Sequence, residues 1–310
     1  MRAITVTPSG MPSLQEIPTP VAPAGGVLVD VRLCGLCGSD VERLRPGGVT
    51  DGQVLGHELV GVVREGPFPA GTRVALAHHV PCGRCAACRA GHEPLCETHR
   101  ASHLEPGGFC ERTSASPAHV EQALLPLPDG VSDLAGTFVE PLACVLRGLD
   151  RLGAVERLLV VGAGSVGLLA AQAARARGVE ATILEPDPVR RERAGQLGFH
   201  PPASPADAAL VTAAPGLGDA VARVADGGTV VVFAGGGPVS VDIDAVYRRE
   251  LRLEGVRSAT PAHLRAALAL LATGAVEPEP LVDLVLPLEE FAEGVRRYRA
   301  REVLKVVFAP

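Results

Sequence analysis

Cys82, Cys85, Cys88 and Cys96 stand in the run C-G-R-C-A-A-C-R-A-G-H-E-P-L-C, with gaps of two, two and seven residues. Four thiolates this close can complete a tetrahedral shell around one zinc ion, and the short gaps let a single lobe wrap the metal. A disulfide framework fits poorly, because the N-terminal M-R-A-I-T-V-T-P-S-G carries no apolar targeting stretch. An iron–sulfur cluster of the ferredoxin type needs a three-residue last gap followed by Pro. Here that gap is seven and Glu97 follows. A closed four-ligand shell leaves no place for substrate, so this zinc is expected to be structural and function must come from other residues.

Two further groups could supply it. Cys37 lies in C-G-L-C-G-S-D at 34–40, and His57 and Glu58 in G-H-E-L-V-G at 56–61. A thiolate, an imidazole and a carboxylate can bind zinc and leave one position open for chemistry. Spacing alone leaves other readings open: Cys34 and Cys37 form a C-x-x-C pair that fits a redox dithiol, and a lone His before a strand fits packing or surface exposure. The second group is Gly162, Gly164 and Gly167 in G-A-G-S-V-G. It directly follows a strand pattern at 158–161, and Ser165 and Val166 open a helix pattern, which is the context a dinucleotide loop requires. The glycines permit the tight turn, a close approach of backbone to pyrophosphate, and close packing of helix on strand. Glu185 ends the next strand pattern, where a carboxylate can hold ribose hydroxyls. It would repel a 2′-phosphate, so NAD is expected rather than NADP. Arg190 and Arg191 are the counter-signal, and Arg190 is counted with the cofactor-binding residues.

The elements that must position these groups fall into two textures. The 310-residue chain is 47 % hydrophobic, enough to fill the cores of two domains. Short apolar runs at 27–31, 59–63 and 72–77, punctuated by Gly and Pro, predict an all-β part with many turns. From about Glu140 short β-branched runs alternate with Ala-rich amphipathic stretches: 158–161, 166–177, 181–184 and 189–197. That alternation predicts a parallel sheet covered by helices. A helix at 218–225, a strand at 229–233 and a helix at 263–271 follow, and the tail from 281 returns to strand, helix, strand. The longest apolar runs are too short to span a bilayer. Net charge is −6 with no basic cluster, which argues against nucleic acid as a partner. The arginines at 296, 297, 299 and 301 read as a solvated helix face. Lys305 is the only lysine, and the sequence assigns it no role. Eight cysteines without an export signal predict a reducing cytoplasm.

Taken in order, five blocks resemble the zinc-dependent medium-chain dehydrogenases, in the branch of sorbitol (polyol) and threonine dehydrogenases. They are C-G-L-C-G-S-D at 34–40, G-H-E at 56–58, the four-cysteine lobe at 82–96, V-E-P-L-A at 139–143 and G-A-G-S-V-G at 162–167. The resemblance covers nearly the whole chain. It implies a GroES-like β-barrel catalytic domain, 1–140 and 276–310, carrying the zinc lobe at about 78–100. A Rossmann domain at 141–275 would complete the fold, with the active site in the cleft between the two. It implies two zinc ions per chain, one structural and one catalytic. Cys37, His57 and Glu140 would hold the catalytic ion, with Glu58 a further candidate and Cys144, one helical turn past Glu140, a rival. Pro141 is expected at the first position of a helix, leaving Glu140 at its mouth. Asp40 would orient His57, and Ser39 would bond the substrate hydroxyl and pass on its proton. The implied reaction moves a hydride between NAD and a secondary alcohol or polyol, and the implied assembly is a homodimer or homotetramer.

Two departures stand out. Glu42 occupies the position where many members carry a relay histidine. The stretch after Gly198 is too short for the usual crossover helix, so one helix of the nucleotide domain is expected to be missing. Two alternatives compete with the enzyme: a zinc-free reductase of the quinone-reductase type, and a non-catalytic nucleotide-binding or scaffold protein that kept the fold.

Overall fold

The computed structural model describes residues 1–310, which separate into two compact units. The first comprises 1–141, 260–272 and 277–310, and the second 142–259 and 273–276. The helix Pro261–Ala272 thus belongs to the first unit, packed against the short helix Asp133–Gly136. The resemblance implies instead a place in the nucleotide-binding part, 141–275.

The first unit opens with β1 (Arg2–Val6), β2 (Pro12–Glu16), β3 (Val27–Gly35), β4 (Gln53–Val54), β5 (Glu58–Glu65), β6 (Arg73–Leu76), β7 (Arg112–Ala115) and β8 (Leu124–Pro126). β1 pairs with β2 and β4 in a small antiparallel sheet. β3 is the spine of a larger one, pairing antiparallel with both β5 and β7. Its register sets Gly35 opposite Glu58, so the chain beyond Gly35 lies beside the turn that precedes β5. Gly56 sits in that turn with φ +96°, and a Cβ there would come within 2.9 Å of both Cys34 Sγ and the Phe109 backbone nitrogen.

The second unit holds β9 (Arg157–Val161), β10 (Glu180–Leu184), β11 (Ala206–Val211), β12 (Val224–Val232) and β13 (Arg252–Gly255). All pair in parallel, in the order β10-β9-β11-β12-β13. Helices Ser165–Ala176 and Pro188–Gln196 make the first crossovers. The first of them is buried all round from Gly167 to Ala174. Residues 197–205 contain no helix, as expected from their length. The reduction is larger than one helix, however. The usual doubly wound order is 3-2-1-4-5-6, and here the outer strand beyond β10 is gone as well. All that pairs with that edge is a bond from the Ile183 N–H to the His200 carbonyl, at 2.9 Å.

The tail returns to the first unit with β14 (Leu284–Pro287), helix Phe291–Arg299 and β15 (Val306–Ala309). β15 pairs antiparallel with β3, Val307 opposite Gly35, and β14 pairs parallel with β15. Phe109, Phe291 and Phe308 meet in the core beneath, with ring centroids 4.8 to 5.6 Å apart.

Replacing Gly56 by Ala forces a side chain into a left-handed, filled position. The expected cost is about 2 kcal/mol. Urea unfolding should show a lower midpoint with an unchanged slope.

Candidate active site

Cys37 follows the end of β3 and caps the short helix Gly38–Arg43, in the extended conformation a capping residue needs. His57 immediately precedes β5. One carboxylate joins the two positions. Asp40 Oδ2 accepts from the Cys37 backbone N–H at 3.1 Å, and Oδ1 accepts from the Gly56 N–H at 3.2 Å. The same Oδ1 lies 3.4 Å from His57 Nδ1. Asp40 is only 2 % exposed. Burial alone would raise its pKa, but His57 and the two backbone donors outweigh it and hold the carboxyl below its ordinary value. Bound through Nδ1, His57 is left with Nε2 as its free ligand atom.

The Sγ of Cys37, a ring nitrogen of His57 and a carboxylate oxygen of Glu58 all lie within 4.8 Å of one another. Sulfur, imidazole and carboxylate are a donor set that suits zinc. Glu140 is not in this gathered trio. It lies in the first turn of the helix Val139–Asp150, with Pro141 at the third position instead of the first. Cys144 is buried one turn further along and joins neither gathered group. Ser39 is exposed in the first turn after Cys37, and Glu42 is exposed on the same helix.

Glu58 is 2 % exposed and forms an ion pair with Lys305, itself 3 % exposed. The ammonium also donates to the Leu36 carbonyl at 3.1 Å and lies 5.5 Å from the centre of the Phe138 ring. Burial opposes its charge, but Glu58 outweighs that and holds the lysine pKa above its usual value. The Tyr298 hydroxyl is a further neighbour, since a Cβ on Gly38 would lie 3.4 Å from it. Sequence reasoning missed both Lys305 and Tyr298. The available signal was one lysine in an arginine-rich chain, set in the apolar run L-K-V-V-F.

The four lobe sulfurs, Cys82, Cys85, Cys88 and Cys96, also lie within 4.8 Å of one another as free thiols. Sulfurs about 2.3 Å from a shared zinc are spaced on that scale. The Cys85 N–H points at Cys82 Sγ (3.4 Å) and the Cys82 N–H at Cys96 Sγ (3.5 Å), donors that favour thiolates. The lobe itself has only short helices, Ala86–Arg89, Glu93–Leu95 and Glu97–Ala101, with few buried residues, so a metal is what can hold it. Histidine rings line the space between lobe and site: His57 to His78 at 6.4 Å, His78 to His79 at 4.5 Å, His79 to His99 at 4.9 Å.

In the second unit, Gly162 takes φ +102° at the end of β9, and a Cβ on Gly167 would overlap the Gly162 carbonyl. Nothing lies within 4 Å of a Cβ built on Gly164, so the loop presents bare backbone to open space. The N–H groups of Ser165, Val166 and Gly167 open a twelve-residue helix and have no partner within it. Glu185 stands over the loop, accepting from the Ala163 N–H at 2.7 Å and the Asp187 N–H at 2.9 Å. Arg191 donates to the Glu185 and Pro186 carbonyls, while Arg190 is half-buried in the first turn of its helix. Bare amides at a helix start suit a pyrophosphate.

The alcohol dehydrogenase GroES-like domain model matches residues 23–129. A D-altritol 5-dehydrogenase of Agrobacterium fabrum is 34 % identical over 94 % of each chain. The chain belongs to the zinc-type medium-chain dehydrogenases. An L-galactonate-5-dehydrogenase of Escherichia coli is 30 % identical, again over 94 % of each chain. A Sinorhizobium meliloti structure, provisionally classed as a zinc-binding dehydrogenase and bound to NADP, superposes with TM-score 0.87. It is 27 % identical and covers 100 % of this chain and 99 % of its own. This medium-chain dehydrogenase has a five-stranded nucleotide sheet and a single, buried lysine.

Two outcomes are expected. Asp40→Ala should weaken metal binding at the Cys37–His57 site by about 10- to 100-fold in chelator competition. Cys88→Ser should cost one zinc per chain by elemental analysis and make residues 82–101 readily cleaved by protease, while the Cys37 site keeps its metal.

Proposed function

We propose that this medium-chain dehydrogenase oxidises a secondary hydroxyl of a polyol or sugar acid with NAD, and runs the reverse reduction with NADH. The observation that carries this reading is the Asp40-stapled pair of Cys37 and His57, in a chain that also presents a bare glycine loop. The named relatives act on altritol and galactonate, both polyhydroxylated, which supports a substrate with adjacent hydroxyl groups.

In this reading Cys37, His57 and Glu140 hold the catalytic zinc, and Cys82, Cys85, Cys88 and Cys96 hold the structural one. When bound, zinc supplies a Lewis acid that acidifies the substrate hydroxyl, and NAD supplies the hydride acceptor. The chain's own residues do the placing. Asp40 fixes the tautomer and direction of His57. Ser39, exposed beside Cys37, accepts the substrate's hydroxyl proton and hands it to water or to Glu42, the exposed carboxylate one turn on. Gly162, Gly164 and Gly167 receive the pyrophosphate against the amides of Ser165 and Val166. Glu185 retains unused lone pairs for the ribose hydroxyls, and Arg190 flanks them. The carboxylate of Glu185 is the reason for preferring NAD, although the Sinorhizobium neighbour binds NADP.

A homodimer is part of the proposal. β13 is an edge strand with Leu253 exposed on it, and Ile243 and Tyr247 are exposed on the preceding helix Ile243–Arg248. Eight free thiols support a reducing, cytoplasmic setting. No helix is long and apolar enough to cross a membrane.

The test is NADH formation by zinc-loaded protein against polyols, sugar acids, amino alcohols and simple alcohols, with NADP in parallel. Turnover with a polyol or sugar acid, faster with NAD and abolished by Cys37→Ala, is expected. Turnover that survives Cys37→Ala would refute the assignment.

A further inference from the structure

The loop Gly162–Gly167 hangs between two strands of unequal support. On one side the Gly162 N–H donates to the Leu184 carbonyl of β10 at 2.9 Å, and the Ala163 N–H donates to Glu185 at 2.7 Å. β10 is the outermost strand of its sheet, so this anchor has no further strand behind it. On the other side runs β11, an interior strand, and Thr212 directly follows it. The Thr212 N–H continues the ladder, donating to the Val161 carbonyl at 3.0 Å. Its hydroxyl adds a second tie. Oγ1 donates to the same Val161 carbonyl at 2.8 Å and to the Gly162 carbonyl at 3.3 Å, so one proton is shared between the last acceptor of the strand and the first of the loop. A Cβ on Gly162 would lie 2.9 Å from this oxygen, and one on Gly167 3.1 Å. The hydroxyl therefore sits where the first and third glycines of the motif meet. Thr212 is β-branched, which restricts χ1 and holds the hydroxyl in place.

The Gly162 carbonyl is the group that matters for binding. A Cβ on Gly167 would overlap it, so it stands against the first turn of the helix Ser165–Ala176. Val166 comes four residues after Gly162, which is the spacing of an α-helical hydrogen bond. That bond is not made, and the Thr212 hydroxyl is the one donor to the Gly162 carbonyl. Released from Thr212, the carbonyl can turn onto the Val166 N–H and fill one of the amides that would face a pyrophosphate. We propose that Thr212 is a positioning residue of the cofactor loop: by tying the Val161 and Gly162 carbonyls to β11, it keeps the amides at the helix start free for the pyrophosphate. This rests on the dehydrogenase reading above and extends it to a residue outside the glycine motif. A threonine that served the sheet alone would support the fold without singling out the pyrophosphate.

The experiment uses the zinc-loaded full chain, with NADH followed by its own fluorescence and ADP-ribose by calorimetry. ADP-ribose carries the pyrophosphate without the nicotinamide. Adenosine, measured as a competitor of NADH, carries neither. Thr212→Val keeps the branched shape and removes the hydroxyl. It should weaken NADH and ADP-ribose alike, by about 10-fold. Adenosine binding should be unchanged, and KM for NAD should rise with a smaller change in kcat. Thr212→Ser keeps the hydroxyl and should retain most of the affinity that Thr212→Val loses. Unaltered NADH binding in Thr212→Val overturns the proposal. So does adenosine weakening in step with NADH, or Thr212→Ser binding as weakly as Thr212→Val. Should Thr212→Val not fold, Thr212→Ser against Thr212→Ala decides: the serine variant is expected to bind ADP-ribose more tightly, and equal binding refutes. If the unmodified protein binds neither NADH nor ADP-ribose, the dehydrogenase reading falls, and the role of Thr212 with it.

Discussion

The carboxylate of Asp40 is the contact on which the rest of the site depends. It is buried, and a buried charge is tolerated only where donors surround it. Three do: the N–H of Cys37, the N–H of Gly56 and the ring of His57. They come from two stretches that the β3–β5 register has already brought side by side. Register supplies proximity, and the carboxylate converts it into a defined direction for one thiol and one imidazole. Gly56 completes the arrangement, because its left-handed backbone lets the turn pass between Cys34 and Phe109 while presenting its N–H to Asp40.

The two proposed metal sites are solutions to different problems. At 82–96 the chain has almost no apolar material to bury, so four sulfurs close on a single point and their backbone donors stabilise them there. At 37–58 the sheet is already folded and packed on Phe109, Phe291 and Phe308, so ligands can be few and the geometry is held from behind by Asp40. The row of His78, His79 and His99 links one region to the other within a single unit, so the lobe is packed into the body that carries the site.

Much of this was legible in the sequence because it is local. The lobe, the glycine loop with its strand before and helix after, and the alternation of strands and helices beyond 140 are short-range patterns. The missing helix could be read from the shortness of 198–208, but the missing strand could not, since a strand's absence leaves no residues to inspect. The helix at 261–272 groups with the first unit, and its apolar spacing says that it packs, not on what. Lys305 was invisible for the same reason. Its partner is 247 residues away, and only the registers of β15, β3 and β5 bring them together over Gly35.

A chain with one lysine, and that one buried, has an unusual chemical surface. In the folded protein the one lysine amine is shielded from an amine-reactive reagent. Arginines carry the positive side-chain charge of the exterior and do not acylate. A lysine adduct therefore forms when β15 lifts from β3, and its appearance by mass becomes a clock for the opening of the sheet behind the site.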